Sequence, residues 1–113
     1  WMSAPSLLKK WQDEVFTFLS KTPAVAGKPL TVVTTTGSEY EAYRSGGRNR
    51  FTMDELLRPY QVSAIHSGMS WQTPIVVYGM GTADAGKNIA EGANLYKQRV
   101  EMLIGSSNAG NNW

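Results

Sequence analysis

Leu30-Thr31-Val32-Val33-Thr34-Thr35-Thr36-Gly37-Ser38 is the stretch that decides the fold of this 113-residue chain. Its β-branched side chains are stiff at χ1 and favour a pleated strand over a helix, and Gly37 ends the run. A second run, Pro74-Ile75-Val76-Val77-Tyr78-Gly79, is almost continuously apolar. That pattern predicts a strand covered on both faces of a parallel sheet rather than one with a wet side.

Working outward, three helices frame these strands. Leu8, Trp11, Val15 and Phe18 recur at helical spacing over 5–19, with Lys9, Lys10, Asp13 and Glu14 opposite and Pro5 suited to the first turn. Thr52 followed by Glu55 is a capping-box pattern, and it predicts a second helix with Leu56, Leu57, Tyr60, Ala64 and Ile65 facing inward and a kink at Pro59. Ile89, Ala93, Tyr96, Val100 and Leu103 predict a third helix, stopped by Gly105 and followed by a flexible tail over 106–113.

The order helix, strand, helix, strand, helix, with crossovers long enough for parallel pairing, predicts an α/β domain. Two strands are too few for a parallel sheet covered on both faces, because one edge stays unpaired. Residues 1–105 are therefore expected to be the carboxyl-terminal part of one domain whose missing half precedes Trp1. The opening Trp1-Met2-Ser3-Ala4-Pro5 fits that expectation.

Composition narrows the function classes. Apolar residues make up 42% of the chain, an ordinary folded composition. The net charge of +2 is too small to point to nucleic acid. No apolar run approaches a membrane span. Zero Cys and one His exclude disulfides, thiol nucleophiles and a Cys/His zinc site, and no metal site is expected. The default location is the cytoplasm.

In open parallel sheets ligands bind beyond the carboxyl ends of the strands, which directs attention to the segments after Thr35 and after Tyr78. Thr34-Thr35-Thr36-Gly37-Ser38 is either an ordinary strand-end turn or a platform against which a planar ring can lie, with backbone N–H groups as donors. The loop over 36–51 is long and aperiodic, which in compact domains marks function more often than idleness. Arg44, Arg48 and Arg50 form its basic cluster, suited to cofactor phosphates, to a partner's acidic surface or to solvent. His66 reads as an ordinary helical histidine.

Five segments in order carry a resemblance: Trp1-Met2-Ser3-Ala4-Pro5 running into Leu8-Lys9-Lys10-Trp11; Thr35-Thr36-Gly37-Ser38; Gly46-Gly47-Arg48-Asn49-Arg50-Phe51; Leu56-Leu57-Arg58-Pro59 with Gly68-Met69; and Pro74 to Tyr78. Together they resemble the carboxyl-terminal part of the flavodoxin-like NAD(P)H:quinone oxidoreductases, and especially the ancillary subunits of glutathione-gated potassium efflux systems. The resemblance implies a flavodoxin-like parallel sheet sandwiched by helices, apparently lacking its amino-terminal half. It also implies hydride transfer from NAD(P)H through FMN or FAD to a quinone. Partners implied are a second copy in a homodimer and a potassium efflux transporter, which would place the protein peripherally at the inner membrane.

Residue by residue, the resemblance implies that Trp1, Met2 and Ser3 lie near the flavin and that Thr35, Thr36, Gly37 and Ser38 line its ring. Ser38 stands where the family has a second Gly. Tyr43 matches the family's tyrosine near the hydride-transfer centre, with Tyr40 as the alternative if the loop slips. Asn49 falls where the family has a catalytic His, so a Tyr-His relay does not carry over: Asn49 donates a hydrogen bond but does not titrate. Arg44, Arg48 and Arg50, with Tyr40, are the expected substrate or phosphate contacts. The family's phosphate-binding loop after a first strand has no counterpart here, so the chain is expected to be a half-site.

Overall fold

The computed structural model describes residues 2–108. Trp1, expected beside the flavin, and 109–113, the end of the expected tail, lie outside the described residues.

The strand expected over 30–35 is present in two pieces. β1 (Pro29–Leu30) pairs with β3 (Ser70–Trp71), and β2 (Val33–Thr35) pairs with β4 (Ile75–Val77), both in parallel. Gln72 N donates to Leu30 O and Ile75 N to Val32 O, each at 2.9 Å, so the ladders follow one line across the gap. The break has a local cause. Two residues, 31–32, face three, 72–74, and Pro74 has no N–H to offer the ladder. Ser70–Trp71 carries no strand signal of its own, because two residues are too few to show periodicity.

The first helix, α1, spans 6–19 as Ser6–Trp11, a π-helical turn Gln12–Phe16 and Thr17–Leu19. Thr17 Oγ1 donates to Gln12 O across the wider turn at 2.9 Å. Its apolar stripe is not buried: Trp11 is 47% and Phe18 68% exposed, with Leu8 and Val15 also exposed. No described strand covers it, and Trp11 instead stacks on Phe16 at 5.8 Å.

The capping box forms as expected. Glu55 N donates to Thr52 Oγ1 and Thr52 N to Glu55 Oε1, both at 3.2 Å, starting α2 (Met53–Leu56). Leu57 leaves helical geometry, and α3 (Arg58–His66) restarts with Pro59 in its first turn. Leu57, Ala64 and Ser67 are buried, while Ile65 is exposed because it lies one position past that stripe.

The last helix, α4 (Ala85–Asn108), continues through Gly105. Gly105 is not among the positive-φ glycines, so it does not form the left-handed cap that would stop a helix. The face it buries also differs from expectation. Asn88 and Gly92 turn toward β4, a Cβ at Gly92 overlapping Val77 Cγ2, while Ile89, Tyr96 and Val100 stay exposed. Arg99 Nη1 donates to Thr73 O at 2.7 Å, closing the break between β3 and β4. Glycine and a polar pair, invisible to apolar periodicity, make the contact.

Candidate site at the carboxyl ends of the strands

Beyond β2 and β4 the backbone remains laced together. Thr36 N donates to Val77 O, Gly79 N to Ser38 O, Met80 N to Thr36 O and Gly81 N to Gly37 O, each at 2.9 Å. Thr36 is buried, and its Oγ1 donates to Ser38 O at 2.8 Å. Gly79 has φ 77, a conformation that glycine alone adopts without strain. The two strand-end loops are thus one rigid double layer. The backbone N–H groups of Gly37 and Ser38 meet no protein acceptor among the described residues, and nothing lies within 4 Å of the Cβ position of Gly37.

The loop folds back on this layer. Tyr43 N donates to Tyr40 O at 3.0 Å, closing the turn Tyr40–Ala42, and Asn49 N donates to Ala42 O at 2.9 Å. Gly47 sits so close to this turn that a Cβ would overlap the carbonyl oxygens of Glu41 and Ala42. Arg48 Nη2 donates to Ser38 Oγ at 2.7 Å and lies 3.9 Å from Glu39 Oε2. The guanidinium of Arg44 stands 5.7 Å from the Tyr40 ring centroid. Arg50 is exposed, with φ 63.

The expected residues divide accordingly. Thr35, Thr36, Gly37 and Ser38 line the strand end, with Arg48 held against Ser38. Tyr40 is 51% exposed, whereas Tyr43 is only 7% exposed. Asn49 is half-buried and joins the loop through its backbone. Met2 and Ser3 are exposed, and no hydrogen bond among the described residues ties them to the loop.

Sequence reasoning missed Tyr78. Its ring meets Tyr40 edge-on at 5.2 Å and Tyr43 at 5.8 Å. Its carbonyl accepts from Asn88 Nδ2 at 2.9 Å. Burial, and then the neighbouring Tyr40, Asp54 and Tyr43, push its phenol above the usual 10.0, so it stays a neutral donor. The signal was its place as the last residue before Gly79. A cleft of about 300 Å³ adjoins it, lined by Glu39, Tyr40 and Glu41 of the loop and by Asp84, Asn88 and Glu91. Among the described residues there is no group of three or more metal-ligating side chains, and no helix is long and apolar enough to cross a membrane.

Known proteins share the sequence and the fold of this chain. The family described as having a flavodoxin-like fold matches residues 1–100. General stress protein 14 of Bacillus subtilis is 40% identical over 106 residues, covering 90% of this chain and 60% of that protein. The uncharacterized NAD(P)H oxidoreductase YdeQ of the same organism is 38% identical, covering 91% and 54%. The glutathione-regulated potassium-efflux system ancillary protein KefG of Serratia proteamaculans is 44% identical over 80 residues, covering 67% and 44%.

Among solved structures, one described as a thermophilic tryptophan halogenase superposes with TM-score 0.78 at 39% identity, covering 88% of this chain and 60% of that one. An NADPH-quinone reductase from P. pentosaceus gives 0.70 at 31%, covering 81% and 58%. General stress protein 14 of Treponema denticola in complex with FMN gives 0.78 at 27%, covering 91% and 60%. The chain thus spans between 44% and 60% of the length of these curated relatives. The parallel strands, the order of elements and the family match over residues 1–100 agree: this chain belongs to the flavodoxin-like family, among relatives named as NAD(P)H oxidoreductases and potassium-efflux ancillary proteins.

Proposed function

We propose that this chain supplies the flavin-ring and acceptor side of an NAD(P)H oxidoreductase that passes hydride to quinones. The observation that carries the reading is the laced double layer of 36–38 and 79–81, with the N–H groups of Gly37 and Ser38 left without protein acceptors. A ring edge with carbonyl and nitrogen acceptors fits that face, and the open space at Gly37 gives it room. FMN is the favoured flavin, because a relative of the same fold is known with FMN. Bound there, it would carry hydride from the nicotinamide to the acceptor.

The protein's own residues do the rest. Gly37 and Ser38 would donate to the ring edge, and Thr36 holds their path. Tyr43 and Tyr40 present phenols toward the acceptor, and Asn49 serves as a non-titrating donor. Arg44 and Arg50 offer charge to the phosphates of the nicotinamide cofactor, while Arg48 steadies Ser38. NAD(P)H oxidation by the flavin-loaded protein with a quinone tests the reading. A Tyr43→Phe variant should keep its flavin and lose turnover; unchanged quinone kinetics would reduce Tyr43 to a packing residue.

The exposed apolar stripes of α1 and α4 favour a second role, docking. A second copy of the chain would cover them, or a potassium-efflux transporter, the kind of system that KefG is named as ancillary to. Light scattering of the purified protein, alone and with the membrane protein, separates the two partners.

A further inference from the structure

The loop over 39–50 carries no long apolar side chain into the sheet other than Tyr43, and the turn at Tyr40–Ala42 is only three residues long. Its backbone hydrogen bonds are largely internal: Ala42 N to Glu39 O, Tyr43 N to Tyr40 O, Gly47 N to Arg44 O and Asn49 N to Ala42 O. Such bonds shape a loop without fixing it to anything else. Outside the Arg48–Ser38 contact, which is exposed, both aromatic contacts of the loop with the strand ends fall on one ring, that of Tyr78. Tyr78 meets Tyr40 edge-on at 5.2 Å, a geometry in which a positive ring edge faces a negative π face, and Tyr43 at a tilt of 52° and 5.8 Å.

Tyr78 is itself held from behind. It follows β4 directly, its carbonyl accepts from Asn88 Nδ2 of α4, and Gly79 after it is pinned through Ser38 O. The backbone that carries the ring is therefore anchored to the sheet and to α4, while the ring's two aromatic partners belong to the loop. We propose that Tyr78 is the positioning residue of the acceptor side, a fixed ring that sets where the Tyr40 and Tyr43 phenols stand. This rests on reading the loop as the acceptor side. The bracing itself does not depend on a flavin.

Amide hydrogen exchange on the protein without flavin tests the brace, and acceptor kinetics on the flavin-loaded protein test its use. Two lost aromatic contacts correspond to roughly ten- to a hundredfold in the equilibrium for loop release. Tyr78→Ala should raise the exchange of the Ala42, Tyr43 and Asn49 amides by about that factor, while the amides of α4 beyond Gly92 stay as in the parent. Tyr78→Phe keeps the ring and should restore loop protection.

In kinetics, Tyr78→Ala should raise the quinone KM by about tenfold with a smaller change in the rate of flavin reduction by NAD(P)H. Tyr78→Leu, which keeps apolar volume without a ring, guards against a packing collapse and should resemble Tyr78→Ala in the loop. Unchanged loop protection in Tyr78→Ala, or protection in Tyr78→Leu equal to the parent, would overturn the proposal. If no flavin binds, the functional reading fails and the exchange result still decides the brace.

Discussion

The strand ends and the helical faces of this molecule are built in opposite ways. At the strand ends, four backbone hydrogen bonds join 36–38 to 77–81, and Thr36, Ala42, Tyr43 and Val77 are buried around them. Along α1 and α4, Leu7, Phe18, Ile89 and Tyr96 stand in solvent. Order in the first region comes from local contacts that the chain completes by itself. Order in the second depends on surfaces that the described strands do not supply. A hydrogen-bonded strand-end layer can therefore be preformed in a domain whose helices remain largely uncovered.

The sharpest contrast is between buried and exposed apolar residues. Ile75→Ala empties a site 4% exposed and should destabilise by about 2–4 kcal/mol, seen as a lower urea midpoint at unchanged slope. Phe18→Ala should change stability by no more than about 0.5 kcal/mol in the monomer. Equal effects would mean that α1 is covered in solution and would break the comparison.

Gly92→Val tests the seam between the regions, since any Cβ there overlaps Val77. Overpacking should cost about 1–3 kcal/mol and loosen α4 from β4, read as faster exchange at Val77 and Asn88. Thr52→Ala removes the capping box and should cost about 1 kcal/mol, without altering the strand-end layer.

The smallest effect is pH-dependent. Tyr78 ionises later in the folded chain than in the unfolded one, so its contribution to stability is fully present below pH 10.0 and is lost as pH rises through the raised folded value. Tyr78→Phe should flatten that alkaline slope, read as the pH dependence of the urea midpoint between about pH 9 and 11.

Much of this was legible in the residues. The β-branched run to Thr35, the apolar run to Tyr78 and the Thr52–Glu55 box located both strands and one helix start, because each is a local preference the fold obeys. The faces of α1 and α4 were not legible. Apolar periodicity states which side wants cover, and Leu8, Trp11, Ile89 and Tyr96 do not have it here. Gly92, which makes the contact, carries no hydrophobic signal at all. At the site, the Thr-Gly turn was visible as a pattern, whereas the Tyr78 brace needed two segments thirty-odd residues apart to meet.

The most direct test of the central claim compares two flavins that share a ring and differ in the phosphate. A chain that supplies the ring side without a phosphate anchor should bind FMN and riboflavin with affinities within about threefold of each other, both weak, near 10 to 100 μM. Fluorescence-quenching titrations of the 113-residue chain give both constants. FMN bound a hundredfold more tightly than riboflavin would reveal a phosphate anchor within this chain. Binding of neither ring at millimolar concentration would remove the strand-end layer as a flavin platform.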